Sequence, residues 1–216
     1  MTPDQLRRVF TLARRISRSP ALTQQLIGEI EAGRPGELLG ALEACLDRVE
    51  LSDLGVTESN WGAYFRPNSM THTSVFETEE MSICFFALSK GAGLPLHDHP
   101  GMAAITQVMK GHLRFKLADL VCQEDTNLFT YHPVRRGELR APAHLSLTPA
   151  LSNLHQFLAM EHTILLDVFI PNYSPVRDVT YFLELSDTKV CGVKSACLDM
   201  RHLPYRGVAL CDQEEM

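Results

Sequence analysis

The spacing of apolar residues changes period near residue 71, and that change constrains the fold more than any other feature of the chain. Before it, apolar positions recur at helical spacing; after it, segments shorten, alternate and are punctuated by Gly and Pro. Residues 81–88 form a short apolar run containing Ile83, Phe85 and Phe86. Residues 105–109 and 113–117 flank Lys110-Gly111, and Leu113, Phe115 and Leu117 alternate with Arg114 and Lys116, which predicts a hairpin at Gly111. Residues 163–170 read as a strand that is apolar on both faces except at Asp167. Several short strands at near-regular spacing predict a mainly β domain, a small antiparallel barrel or sandwich.

The first third is helical. Residues 22–30 and 37–49 are periodic and are separated by Gly33-Arg34-Pro35-Gly36. Residues 4–18 form an amphipathic pattern, with Leu6, Val9, Phe10, Ala13 and Ile16 on one side and five Arg against the single acid Asp4. A helix packed on the domain is the plainer reading. An Arg-rich, acid-poor helix also suits a mitochondrial presequence. The expected compartment is therefore the cytoplasm, with the nucleus in addition and the mitochondrion as an alternative. The expected division is an N-terminal helical segment, residues 1–70, packed on a barrel domain, residues 71–216, whose last thirty residues wrap it.

Composition removes several function classes. A chain of 216 residues and 24.2 kDa has room for one ordinary domain with a helical appendage, and 45% apolar residues can supply its core. A net charge of −6 gives no global basic footprint for nucleic acid, so no nucleic-acid partner is expected. No run of 18 apolar residues exists, so no membrane span or membrane partner is expected. The six cysteines form no CxxC pair, and the N-terminal residues do not read as a secretory signal; reduced thiols are expected, not a structural zinc site. No long apolar stripe is left over for a subunit contact, so a monomer is expected.

The chemistry centres on His97-Asp98-His99. In a strand, residues i and i+2 face the same way, so both imidazoles should project together, about 7 Å apart at the backbone. Two such imidazoles are a natural half of a metal site for Fe, Zn, Cu or Ni. Two solvated loop histidines are the alternative. A third ligand would come from His72, His112, His132, His144, His155, His162 or His202. His112 should face solvent with Arg114 and Lys116, and His132 precedes Pro133 in an expected polar turn. His155, opening the stretch 154–158 about fifty residues beyond the pair, suits a partner strand across a barrel; His144 is the runner-up. Asp98 should point to the opposite face from the histidines. Asp167, alone in its apolar run, needs a partner or a proton.

Gly91-x5-His97-x-His99 followed by Gly111 resembles the first metal motif of the cupin superfamily, whose fold is a double-stranded β-helix, a jelly-roll-like barrel. That motif usually carries a glutamate four or five residues beyond the second His; here Ala103 and Ala104 stand there. The stretch 94–102, the two-strand pattern of 71–86, Asn153-Leu154-His155-Gln156, and the segment from Leu166-Asp167-Val168 through Pro171-x-Tyr173 to Tyr181-Phe182 together resemble the plant cysteine oxidase and 2-aminoethanethiol dioxygenase family. The resemblance covers about residues 71–185. It implies Fe(II) held by His97, His99 and His155. It also implies an amino-thiol substrate, either cysteamine or an N-terminal cysteine, oxidised by O2 to a sulfinic acid. Without a carboxylate ligand the metal would keep its full charge for a substrate thiolate. Asp167 would accept from the substrate amine or handle the thiol proton, and Tyr173 would donate to bound oxygen. Some family members crosslink a Cys to the tyrosine two residues on; with Val179 before Tyr181, that bond cannot form here. The strands 94–109 and 154–170 contain no Arg, so free cysteine, with its α-carboxylate, should be a poor substrate. A cupin using another metal and chemistry, or a cupin that binds a ligand without turnover, are the competing readings.

Overall fold

The computed structural model describes residues 4–34, 36–193 and 200–210. Three helices come first, α1 (Asp4–Ser17), α2 (Pro20–Glu31) and α3 (Glu37–Leu46), then a single turn, α4 (Trp61–Tyr64). Ser19 caps α2, its Oγ accepting from Leu22 N at 3.4 Å, and Pro20 occupies the first helical position, where a missing N–H costs nothing. The apolar stripe of α1 is buried as its spacing predicts: Leu6, Val9, Phe10, Ala13 and Ile16 are all covered. No helix among the described residues is long and apolar enough to cross a membrane.

Among the described residues twelve strands follow: β1 (Met70–Glu77), β2 (Ser82–Leu88), β3 (Gly93–His97), β4 (Ala103–Lys110), β5 (His112–Gln123), β6 (Leu128–Arg140), β7 (Ala143–Leu147), β8 (Leu154–Ala159), β9 (Thr163–Ile170), β10 (Tyr181–Glu184), β11 (Lys189–Val193) and β12 (Met200–His202). They form two sheets. One has the order β12-β1-β2-β9-β4-β7; the other runs β10-β11-β6-β5-β8-β3 and closes where Tyr181 pairs with His97. The chain alternates between the sheets as it winds, which is the double-stranded β-helix of the cupins.

β9 explains its own sequence. Ile164, Leu166, Val168 and Ile170 pack on the helices together with Ile83, Phe85 and Ile105, whereas Leu165 and Phe169 face the barrel interior with Leu94 and Phe157. A strand covered on both faces loses the polar half of its alternation. Asp167 belongs to the inward set.

Three local expectations fail. β4 and β5 do not form a hairpin: β4 pairs with β7 and β9, β5 with β6 and β8. Gly111 turns the chain from one sheet into the other at φ +93, and a Cβ there would sit 2.5 Å from the His162 carbonyl oxygen. His112 and Lys116 are buried, not solvent-facing. His112 starts β5 at that corner, under the turn before β9, with Nε2 2.9 Å from Glu138; the Lys116 ammonium donates to Tyr131 (3.1 Å) and to Glu184 at the end of β10. His132 is exposed within β6, not in a turn, and Pro133 sits where the β5–β6 register shifts, a position that tolerates a missing N–H.

Cys45, Cys84, Cys122 and Cys191 carry free thiols; Cys197 and Cys211 lie outside the described residues. The described end of the chain crosses to the first sheet at β12, then reaches the helical segment, where Val208 N donates to Asp53 O at 2.9 Å.

Candidate metal centre

His97, the last residue of β3, pairs across the strands with His155 near the start of β8, and their ring centroids are 4.1 Å apart. His99 lies two residues past the end of β3, outside the strand. Strand alternation therefore does not place it; a pinned turn does. Asp98 N donates to Thr180 O (3.1 Å), Thr180 N donates to Asp98 Oδ1 (2.7 Å), and His99 N donates to Asn153 Oδ1 (3.0 Å). So held, the His99 ring stacks on His155 at 4.9 Å and stands 5.0 Å from His97. All three rings are buried, and one nitrogen from each lies within 4.8 Å of the others, the one such group of three or more among the described residues. Asp98 is held away in its turn, and burial raises its carboxyl to about 6.

The hydrogen bonds of the three rings fix which nitrogens are committed. His97 Nδ1 donates to Pro95 O at 2.9 Å, leaving Nε2. His99 Nδ1 is 2.6 Å from the Tyr173 hydroxyl, which itself donates to Asp98 O at 3.2 Å, so Nδ1 carries the proton and Nε2 is left. His99 Nε2 and His155 Nδ1 are buried without any hydrogen-bond partner. Burial lowers the pKa of His97 to about 4 and pushes His99 and His155 well down, so three neutral imidazoles face each other. Three neutral imidazoles with one nitrogen each within 4.8 Å of the others, two of the rings carrying an unpartnered nitrogen, fit one borderline divalent cation.

The cluster lines a cavity of about 240 Å³ between the sheets. Leu94, Phe157 and Phe169 supply apolar wall. Asp167 is buried in that wall, opposite Cys84 on β2 and Thr106 on β4. Its Oδ1 has no partner, and burial pushes its carboxyl up to about 7, with a Thr106 hydrogen bond pulling the other way. Glu77 is the other acid in the lining, and no Lys or Arg is among the described lining residues. Tyr173, Val179 and Tyr181 also line it, with the Tyr181 ring 6.0 Å from His97.

The structure thus brings His97, His99, His155, Asp167 and Tyr173 to one cavity. It keeps the runner-up apart: His144 Nε2 is 2.8 Å from Asp47 on the helical side. Sequence reasoning missed Asn153, Cys84 and Thr106. Asn153 was present in the motif around His155; the other two become visible only when β2 and β4 are known to flank β9.

Fold and site together define a cupin with a buried three-histidine centre. Residues 45–204 match the family model described as PCO_ADO, and the chain belongs to that family. It is 30% identical to 2-aminoethanethiol dioxygenase from Mus musculus over 205 residues, covering 80% of this chain and 79% of the relative. It is also 30% identical to plant cysteine oxidase 1 from Arabidopsis thaliana over 167 residues, covering 66% of this chain and 54% of that one. Among solved structures, a double-stranded β-helix protein from Klebsiella pneumoniae overlays with a TM-score of 0.43 at 16% identity, over 57% of this chain and 94% of that chain.

Proposed function

We propose that the protein is an iron(II)-dependent thiol dioxygenase that uses O2 to convert the thiol of a 2-aminoethanethiol unit, in cysteamine or at an N-terminal cysteine, to a sulfinic acid. The observation that carries this reading is a carboxylate-free triad of neutral imidazoles at a cavity whose described lining has Asp167 and Glu77 as its acids and holds no Lys or Arg. The names of the relatives point to the same substrate class.

His97, His99 and His155 would hold the iron, which supplies a site where a thiolate and O2 meet. The chain's own residues do the rest. Pro95 O fixes the tautomer of His97, and the Tyr173 hydroxyl fixes that of His99. Tyr173 therefore acts first through His99; its hydroxyl is already committed to that ring and to the Asp98 carbonyl. The Asp167 carboxylate, unpartnered on one oxygen, accepts from the substrate ammonium and gains the counter-charge its burial denies it. Leu94, Phe157 and Phe169 keep water from the sulfur.

The charge pattern sets a rank order of substrates. An α-carboxylate would enter a cavity whose described lining has two acids and no Lys or Arg to pair with it, and a buried unpaired charge costs about 2 kcal/mol or more. Cysteamine and a Cys-initiated peptide should therefore exceed free L-cysteine in kcat/KM by at least about tenfold. Steady-state rates on the three substrates test this; comparable kcat/KM for free cysteine would overturn the assignment of the cavity.

A further inference from the structure

β12 runs parallel to β1, and their register sets His72 directly opposite His202. The two Nδ1 atoms are 3.1 Å apart and the ring planes are inclined by 77°. Both side chains line the cavity, yet neither belongs to the triad. His72 is half-buried and His202 is exposed, so solvent reaches the pair.

Two imidazole nitrogens this close share either a proton or a cation. Two nitrogens each ~2.0–2.1 Å from one tetrahedral ion stand about 3.3 Å apart. The observed spacing is within a few tenths of an ångström of that value, and a small side-chain rotation closes the difference. A third group adds charge. β1 is bulged between Ser74 and Phe76, and the extra residue brings Glu77 round to the cavity side with His72 and Ser74. There its carboxylate accepts from Ser74 Oγ (3.2 Å) and Asn172 Nδ2 (3.4 Å) and acts electrostatically on His72.

We propose that His72 and His202 form a second metal site, at the cavity rim, that takes a borderline divalent cation of the zinc class. Imidazole nitrogen selects Zn(II), Cu(II) or Ni(II) over Mg(II) and Ca(II), which prefer oxygen. Water completes the coordination, and Glu77 supplies negative charge nearby. The site is separate from the triad and does not depend on the reading of the triad as an iron centre. Its occupant would tie β12 to β1, a strand pair of only three registered residue pairs.

The full chain as purified is dialysed against Zn(II), and bound zinc is compared between wild type, His202→Gln and His72→Gln. Wild type should retain one more equivalent than either variant. The comparison is a difference, so whatever fills the triad cancels. His202 is exposed, so its replacement leaves the core intact; matching circular dichroism confirms this for both variants. As a second readout, zinc should slow hydrogen exchange of the β12 amides in wild type and leave it unchanged in His202→Gln. Equal zinc in wild type and both variants, or zinc-independent exchange in wild-type β12, would reduce the pair to a His–His hydrogen bond and overturn the proposal.

Discussion

Replacing His155 with alanine should strip the protein of its iron and abolish thiol oxidation while leaving the fold in place. The three rings form a compact set at 4.1–5.0 Å between centroids, and each has one nitrogen left for a ligand. Loss of a residue that merely supports a ligand lowers metal affinity or activity roughly 10–100-fold; loss of one of three ligands should exceed that range. The fold should survive because the lost ring contributes a buried Nδ1 that has no partner of its own, so truncation removes an unsatisfied polar atom along with the packing. His144→Ala is the matched control. Its ring bonds Asp47 far from the cluster, and iron and activity should be unchanged. Iron per chain is measured by elemental analysis on both variants, with circular dichroism confirming the fold. Full iron in His155→Ala, or its loss in His144→Ala, would mean that the third ligand is wrongly assigned.

Asp167→Asn should keep iron near normal and slow oxidation of an amino-thiol by about tenfold or more, the rate equivalent of a lost charge-assisted contact of ~1.5–3 kcal/mol. The amide keeps the shape and can still meet Thr106, but it carries no charge for the substrate ammonium. The same variant has a second signature. Burial raises the Asp167 carboxyl from 3.8 to about 7, so the folded state holds a proton that the unfolded chain has released. A carboxyl raised in this way contributes stability that is full below about pH 4 and is lost as pH rises through about 7. Asn does not titrate. The melting temperature of Asp167→Asn relative to wild type should therefore climb between about pH 4 and pH 7 and level off above, read by thermal unfolding of metal-free protein. Wild-type rates together with a pH-independent difference would return Asp167 to an ordinary structural role, and lost iron with an intact fold would make it part of the metal's support.

The parts of this architecture that one strand or one helix decides by itself were legible in the sequence. The stripe of α1 and the two-faced apolar run of β9 are consequences of period, and the inward turn of Asp167 follows from parity alone. What depended on a neighbour was not. The alternation around Gly111 is the same in a hairpin and in a corner between two sheets; only the partners of β4 and β5 distinguish them. His112 and Lys116 sit at positions that alternation assigns to solvent, and they are covered by the β8–β9 turn and by Glu184, both distant in the chain. The pair His97 and His99 was found with a strand rule that applies to only the first of them. The second is delivered by Asp98, Thr180 and Asn153. The motifs contain the parts of that turn, which periodicity does not describe.

The central claim is that this cavity oxidises the sulfur of an amino-thiol on iron. Protein purified without added metal is analysed for iron and zinc, then mixed with cysteamine or a Cys-initiated peptide while O2 uptake is followed and the product is weighed by mass spectrometry. About one iron per chain is expected, with O2 consumed in proportion to product and a mass gain of ~32 Da from the two oxygen atoms of a sulfinic acid. Tightly held zinc in the triad, with no O2 uptake and no mass change on either substrate, would contradict it.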